Sequence, residues 1–157
     1  LTLSKKKREE VLEKLSPKIK EKILHLFELS KDPIGALITT EYLTAGSEDT
    51  VRQVIDAIKK ETADFSSLYC IYVVNKDKQL SGVISLLEIL RQDLDTPLYK
   101  FMIQNLVVIH LTTPIEIAMK KFLKYRLSAL PVVNQEKRIE GVVNLDDITN
   151  YILGRIK

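Results

Sequence analysis

The sequence predicts an α/β (α+β) chain: two β-α-β-β-α units side by side, preceded by a short helical N-terminal arm. Three observations predict it. A strand-turn-strand-helix pattern occurs twice, with 59 residues between equivalent positions. A helical pattern precedes each copy, the two lying 64 residues apart. The composition is that of a packed domain, with 45% apolar residues, 29% charged residues and five each of Gly and Pro in 157. Disordered, collagen-like and low-complexity chains are excluded, and the length suffices to bury a core.

Residues 1–33 make up the arm. Ser4 caps a first helix in which Val11, Leu12 and Leu15 share a face. Ser16 and Pro17 are a cap and a first-turn proline, where the missing N–H costs nothing. Ile19, Ile23, Leu24 and Phe27 follow at steps of three and four, and Ser30-Lys31-Asp32-Pro33 ends the pattern. Two such helices cannot form a domain alone, so the segment reads as the tail of a larger helical unit or an arm packed on the body. It holds the basic excess: nine Lys/Arg against five Asp/Glu in residues 1–31, and fifteen against sixteen in the rest. Both signs interleave at helical spacing and no aromatic platform accompanies them, which favours a solvated helix face over a nucleic-acid surface.

The body is the repeat. Val73 and Val74 match Val132 and Val133, Asn75 matches Asn134, and Gly82 matches Gly141. Each copy reads as an apolar strand, a polar turn opened by Asn, a second strand and a helix. Upstream lie helices from Thr50-Val51 to Lys60 and from Pro114-Ile115 to Lys124, and before them short apolar strands at Tyr42–Ala45 and Leu106–Ile109. The change of offset from 59 to 64 puts a five-residue loop insertion near Glu61–Ser67. The predicted units span 34–93 and 94–157. Their helices are short and neither core is large, so leftover apolar helix faces predict a homodimer.

Several chemistries are absent from the sequence. One cysteine, Cys70, makes no internal disulfide and reads as a small buried hydrophobe. His25 and His110 are too few for a Cys/His metal cage. No nucleophile–base pair, Gly-rich phosphate loop or His-based acid/base motif occurs, so an enzyme is not expected. No apolar run approaches the ~18–20 residues that cross a bilayer, and no secretory signal is present. The chain as given reads as soluble, and its start at Leu1 suggests a piece of a longer protein.

The duplicated pattern with its glycine resembles the paired CBS (cystathionine-β-synthase) domain, over about residues 34–92 and 96–154. The resemblance implies a regulatory sensor. A narrower one lies in Asp32-Pro33-Ile34-Gly35, Leu37, Thr39, Glu41 and Tyr42, and in Tyr69-Cys70-Ile71-Tyr72 after the extra loop. These segments are similar to the lead-in and first CBS unit of MgtE-type magnesium transporters. This implies a magnesium-responsive gating module on the cytoplasmic face of the membrane, acting on a transmembrane domain of the same full-length protein.

Magnesium takes hard oxygen ligands and keeps several waters, so one or two carboxylates per partner suffice to bridge subunits. Asp93 falls where the family has an acidic linker residue, and Asp95 lies beside it; the competing reading is a turn. Asp146 and Asp147 open the final helix, where carboxylates are also stabilised by the helix dipole. Glu48 and Asp49 carry the same competing reading more strongly. Pro114 departs from the family, which tends to carry an acid there. The rival ligand is an adenine nucleotide. In CBS pairs a Gly-x-x-Ser/Thr-x-x-Asp motif supplies a hydroxyl for phosphate and a carboxylate for ribose. Here Ser85 is followed by Glu88, and Asn144 by Asp147, so each copy is degraded and plain helix capping competes. The expectation is thus a magnesium sensor. The alternatives are a soluble regulator that binds an adenine nucleotide, or a structural dimerisation module with decayed sites.

Overall fold

The computed structural model describes residues 33–60 and 68–154, together with Pro17. The two arm helices, including Ser4 and the Ile19–Phe27 stripe, lie outside the described residues, as do Asp32 and the insertion at 61–67.

The first unit runs β1 (Leu43–Gly46), α1 (Val51–Lys60), β2 (Cys70–Val74), β3 (Leu80–Ser85) and α2 (Leu86–Arg91). The second runs α3 (Ile115–Tyr125), β4 (Ala129–Val133), β5 (Ile139–Asn144) and α4 (Leu145–Gly154). β1 pairs in parallel with β2, which pairs antiparallel with β3; β4 pairs antiparallel with β5. The repeat is physical to the level of defects. Each hairpin carries a register shift at its equivalent position, between Val73 and Val74 and between Val132 and Val133.

The repeated asparagines build the turns. Asn75 Oδ1 accepts from the N–H groups of Asp77 and Gln79, at 3.0 and 2.9 Å. Asn134 Oδ1 accepts from Glu136 and Arg138, at 2.9 and 3.0 Å. This local bonding is what Asn offers a turn. It holds Lys78 and Lys137 at φ 62, in the left-handed region. The two turns meet each other: Gln79 and Arg138 form an antiparallel bridge, with Leu80 N–H donating to Lys137 O at 2.8 Å.

One predicted strand is corrected. Leu106–Ile109 takes the place of β1 in the second unit but makes only a single parallel bridge, Ile109 to Val132. Ile109 N–H donates to Pro131 O and Val133 N–H to Ile109 O. Extending this ladder backward requires an N–H at residue 131, and proline has none. Extending it forward requires the Val133 carbonyl, which His110 Nδ1–H takes at 2.7 Å. The Val108 carbonyl accepts instead from Lys121 Nζ at 2.7 Å.

Among the described residues, three apolar clusters hold the fold. Val51, Val54, Ile71, Val73, Ile84, Ile89 and Leu98 form the first unit's core. Ile34, Ile109, Ile115, Phe122, Leu130, Val143 and Ile148 form the second's. Tyr72, Leu80, Ala129, Val133 and Val142 join the two sheets. The lead-ins cross over. Thr39 bridges Val142 of the second unit, and Ile103 bridges Val83 of the first. Gly82 and Gly141 sit at these crossings: a Cβ on Gly82 would lie 2.6 Å from Met102 Sδ, and one on Gly141 would overlap Ile38 Cγ2. The repeated glycine is therefore the price of two backbones crossing closely.

Candidate functional site

The linker after α2 carries the first two acidic candidates. Its carbonyls satisfy the first N–H groups of α1, with Arg52 N–H donating to Leu94 O at 2.8 Å and Val51 N–H to Thr96 O at 3.1 Å. The same linker turns on itself, as Thr96 N–H donates to Asp93 O at 3.0 Å. Asp93 is thus a turn residue through its backbone. Its carboxylate is exposed and makes no side-chain hydrogen bond or ion pair among the described residues. Asp95 differs. Its Oδ1 accepts from Arg52 Nε and Nη2 at 3.2 and 3.1 Å, so a fixed cation already sits there. That pair is solvent-exposed and weak.

Asp146 and Asp147 occupy the first turn of α4, as the sequence predicts, and both are exposed. Asp147 Oδ2 accepts from Asn144 Nδ2 at 3.2 Å. Asn144 is a buried polar side chain, and this bond is what burial of an amide requires. Asp49 serves its own turn, accepting from Gly46 N–H at 2.7 Å. Among the described residues, no three Asp, Glu, His or Cys side chains come together as a metal site. The four aspartates therefore fall into two local pairs, one in the linker and one on α4.

In the first motif copy the capping reading accounts for both residues. Ser85 is the N-cap of α2 and accepts from Glu88 N–H at 3.2 Å. The Glu88 carboxylate accepts from Gln92 Nε2 at 2.5 Å and faces Arg91. In the second copy, Asp147 lines an open groove of about 430 Å³ together with Asn150, Tyr151 and the lead-in residues Ala36–Thr39. Between the sheets the space is nearly closed, at about 10 Å³, with Tyr42, Tyr72, Cys70 and Asn144 around it. Tyr42 and Tyr72 fill it edge to face, with ring centroids 6.1 Å apart. The outer groove, not this cleft, has room for a small molecule.

Burial raises the pKa of Tyr42, Tyr72 and the Cys70 thiol above their ordinary values. Cys70 is half-buried rather than fully buried as the sequence suggested, and its thiol stays protonated near neutrality. Two features had no sequence signal. Arg52 reaches Asp95 from 43 residues away, and the lead-in walls a groove on the second unit, not on the first.

The CBS domain family profile matches residues 34–95 and 98–154. The chain is 29% identical to the magnesium transporter MgtE of Thermus thermophilus over 138 residues, 88% of this chain and 31% of that protein. It therefore spans about three-tenths of that curated relative. The soluble part of a magnesium transporter superposes with a TM-score of 0.89 at 26% identity, covering 99% of this chain and 60% of the other. The cytosolic domain of the Mg2+ channel MgtE, solved in complex with ATP, superposes at 0.84 with 28% identity, covering 91% and 58%. The chain is homologous to this cytosolic region.

Proposed function

Because the chain belongs to the CBS domain family, we propose that it is the magnesium-sensing, gating module of an MgtE-type divalent cation transporter, and not an enzyme. The observation that carries this reading is the extent of the likeness. The superposition on the soluble part of a magnesium transporter takes in 99% of this chain, lead-in included, and not the CBS units alone. In this reading the module comprises an arm at 1–33 and units at 34–93 and 94–157. It lies on the cytoplasmic face of the membrane and acts on a transmembrane domain of the same full-length protein. No helix among the described residues is long and apolar enough to cross a membrane itself.

The module works as a homodimer. Leu87 and Leu90 on α2, Leu123 on α3 and Leu153 on α4 are each more than half exposed, and a second copy would cover such apolar surface. Magnesium sensing then follows from charge. Asp93 offers an unpartnered, exposed carboxylate, which suits a hard, hydrated cation that needs few protein ligands. Among the described residues no three acids come together as a cage, so in this reading the ion bridges chains or domains. Without it, facing carboxylates repel; with it, the closed arrangement gains the ion's differential affinity. Asp93 is the first ligand in this scheme. Asp95 contributes only on release from Arg52, and Asp146 and Asp147 are secondary.

A second reading has a specific observation behind it. Asp147 opens onto the 430 Å³ groove, where an adenine nucleotide could place its ribose hydroxyls. In the first unit Ser85 caps α2 and the Glu88 carboxylate accepts from Gln92, which favours no such role there. Calorimetry separates the readings. Magnesium binding that Asp93→Asn weakens supports the sensor. Low-micromolar ATP or AMP binding that Asp147→Ala abolishes promotes the nucleotide reading. Neither ligand binding at millimolar concentration would leave a structural dimerisation module.

A further inference from the structure

We infer that residues 34–39 form a strap that couples the chain before Pro33 to the second unit, not to the first unit that follows it in sequence. Ile34 is fully buried, and its neighbours are Ile109, Ile115, Phe122 and Leu130 of the second core. Five residues on, Thr39 exchanges two backbone hydrogen bonds with Val142 of β5: Thr39 N–H to Val142 O at 2.8 Å and Val142 N–H to Thr39 O at 2.9 Å. Between these anchors Ile38 lies against Gly141 so closely that any Cβ there would overlap it. An apolar plug, a two-bond clasp and a glycine seat thus fix the strap at three points, all on the second unit.

The opposite crossing makes this directional. The linker before Leu106 docks on the first unit in the same manner. Leu98 is buried in the first core, and Ile103 exchanges bonds with Val83 at 2.9 and 3.0 Å. Each unit is therefore completed by the segment that precedes the other. Displacement of the chain before Pro33 acts on β5 and α4, where the strap also forms one wall of the groove beside Asp147. By linkage, whatever loosens the strap loosens those elements, and whatever tightens them holds the strap.

Native-state hydrogen exchange on the full chain tests this, since it reads local opening amide by amide. Gly141→Ala should speed exchange at Thr39 and Val142 about tenfold or more. Val83 and Ile103 should stay within about twofold of wild type. The double variant Ile38→Ala/Gly141→Ala should restore part of the protection, because it deletes the methyl that the new Cβ meets and leaves approaches of 3.0 Å to Thr39 O and 3.2 Å to Ile38 Cβ. Gly82→Ala should have the mirror effect at Val83 and Ile103, and a milder one, because the thioether end of Met102 can swing away. Equal loosening of both crossings by Gly141→Ala would overturn the inference. If Gly141→Ala does not fold, the wild type decides. Thr39 and Val142 should open together and separately from Val83 and Ile103; a single shared opening would overturn the strap.

Discussion

Ile34→Ala probes the crossing through the core. Ile34 is 0% exposed and stands among side chains of α3, β4, β5 and α4, more than seventy residues away in sequence. Removing three carbons from such a site leaves a cavity, and Ile→Ala changes of this kind cost about 2–5 kcal/mol. We expect about 3 kcal/mol, below the upper end because a short lead-in relaxes more easily than a central strand. For a chain of this length each kcal/mol lowers the melting temperature by about 2–4 °C, so the expected shift is about 6–12 °C. Ile34→Val keeps most of the plug and should cost about 0.5–1.5 kcal/mol. Thermal and urea melts followed by circular dichroism give both values. Leu98→Ala is the companion change, a fully buried plug in the first core, and should cost a similar amount. A loss under about 1 kcal/mol for Ile34→Ala would refute the reasoning, since an enclosed isoleucine cannot be truncated so cheaply.

Three further outcomes are expected. Ser85→Ala removes the N-cap bond to Glu88 and should cost about 1 kcal/mol in a urea melt, with Ser85→Asp close to neutral. Lys78→Gly relieves a left-handed lysine and should raise stability by up to about 1 kcal/mol, Lys137→Gly likewise; a loss in both would mean that the turns are not held as described. Burial raises the folded-state pKa of Tyr42 and Tyr72 above the ordinary 10.0, so their stabilising effect is complete below that pH and is lost as pH rises beyond it. Stability should therefore fall above about pH 10, less steeply in Tyr72→Phe, and parallel slopes would show that Tyr72 is not buried.

The sequence made the repeated hairpins legible because their signals are local. Asn75 and Asn134 bond within five residues of themselves, and an apolar run on each side fixes the strands. The capping of α2 by Ser85 and the acidic first turn of α4 were legible for the same reason. The irregularity of the second unit's first strand is not legible because its causes are tertiary: Pro131 withholds an N–H, and His110 takes the Val133 carbonyl, 22 and 23 residues from their counterparts. The crossing of the lead-ins left only an indirect trace. Gly82 and Gly141 marked it, but nothing near them says which segment passes over. The candidate site divides likewise. Asp147 beside Asn144 is a local pair, whereas the Arg52–Asp95 pair and the groove wall at Ala36–Thr39 come from tertiary contacts.

The magnesium dependence of the melting temperature tests the central claim most directly. An ion that binds only the folded state adds RT ln(1 + [L]/Kd), about 1.4 kcal/mol at ten times Kd. For this length that is a rise of about 3–6 °C in millimolar MgCl2. NaCl at equal ionic strength should not reproduce it, because screening of surface charge does not distinguish the salts. Asp93→Asn, which keeps the shape and deletes the charge, should remove much of the rise. A shift equal in both salts, or unchanged in Asp93→Asn, would contradict a magnesium site built on the linker.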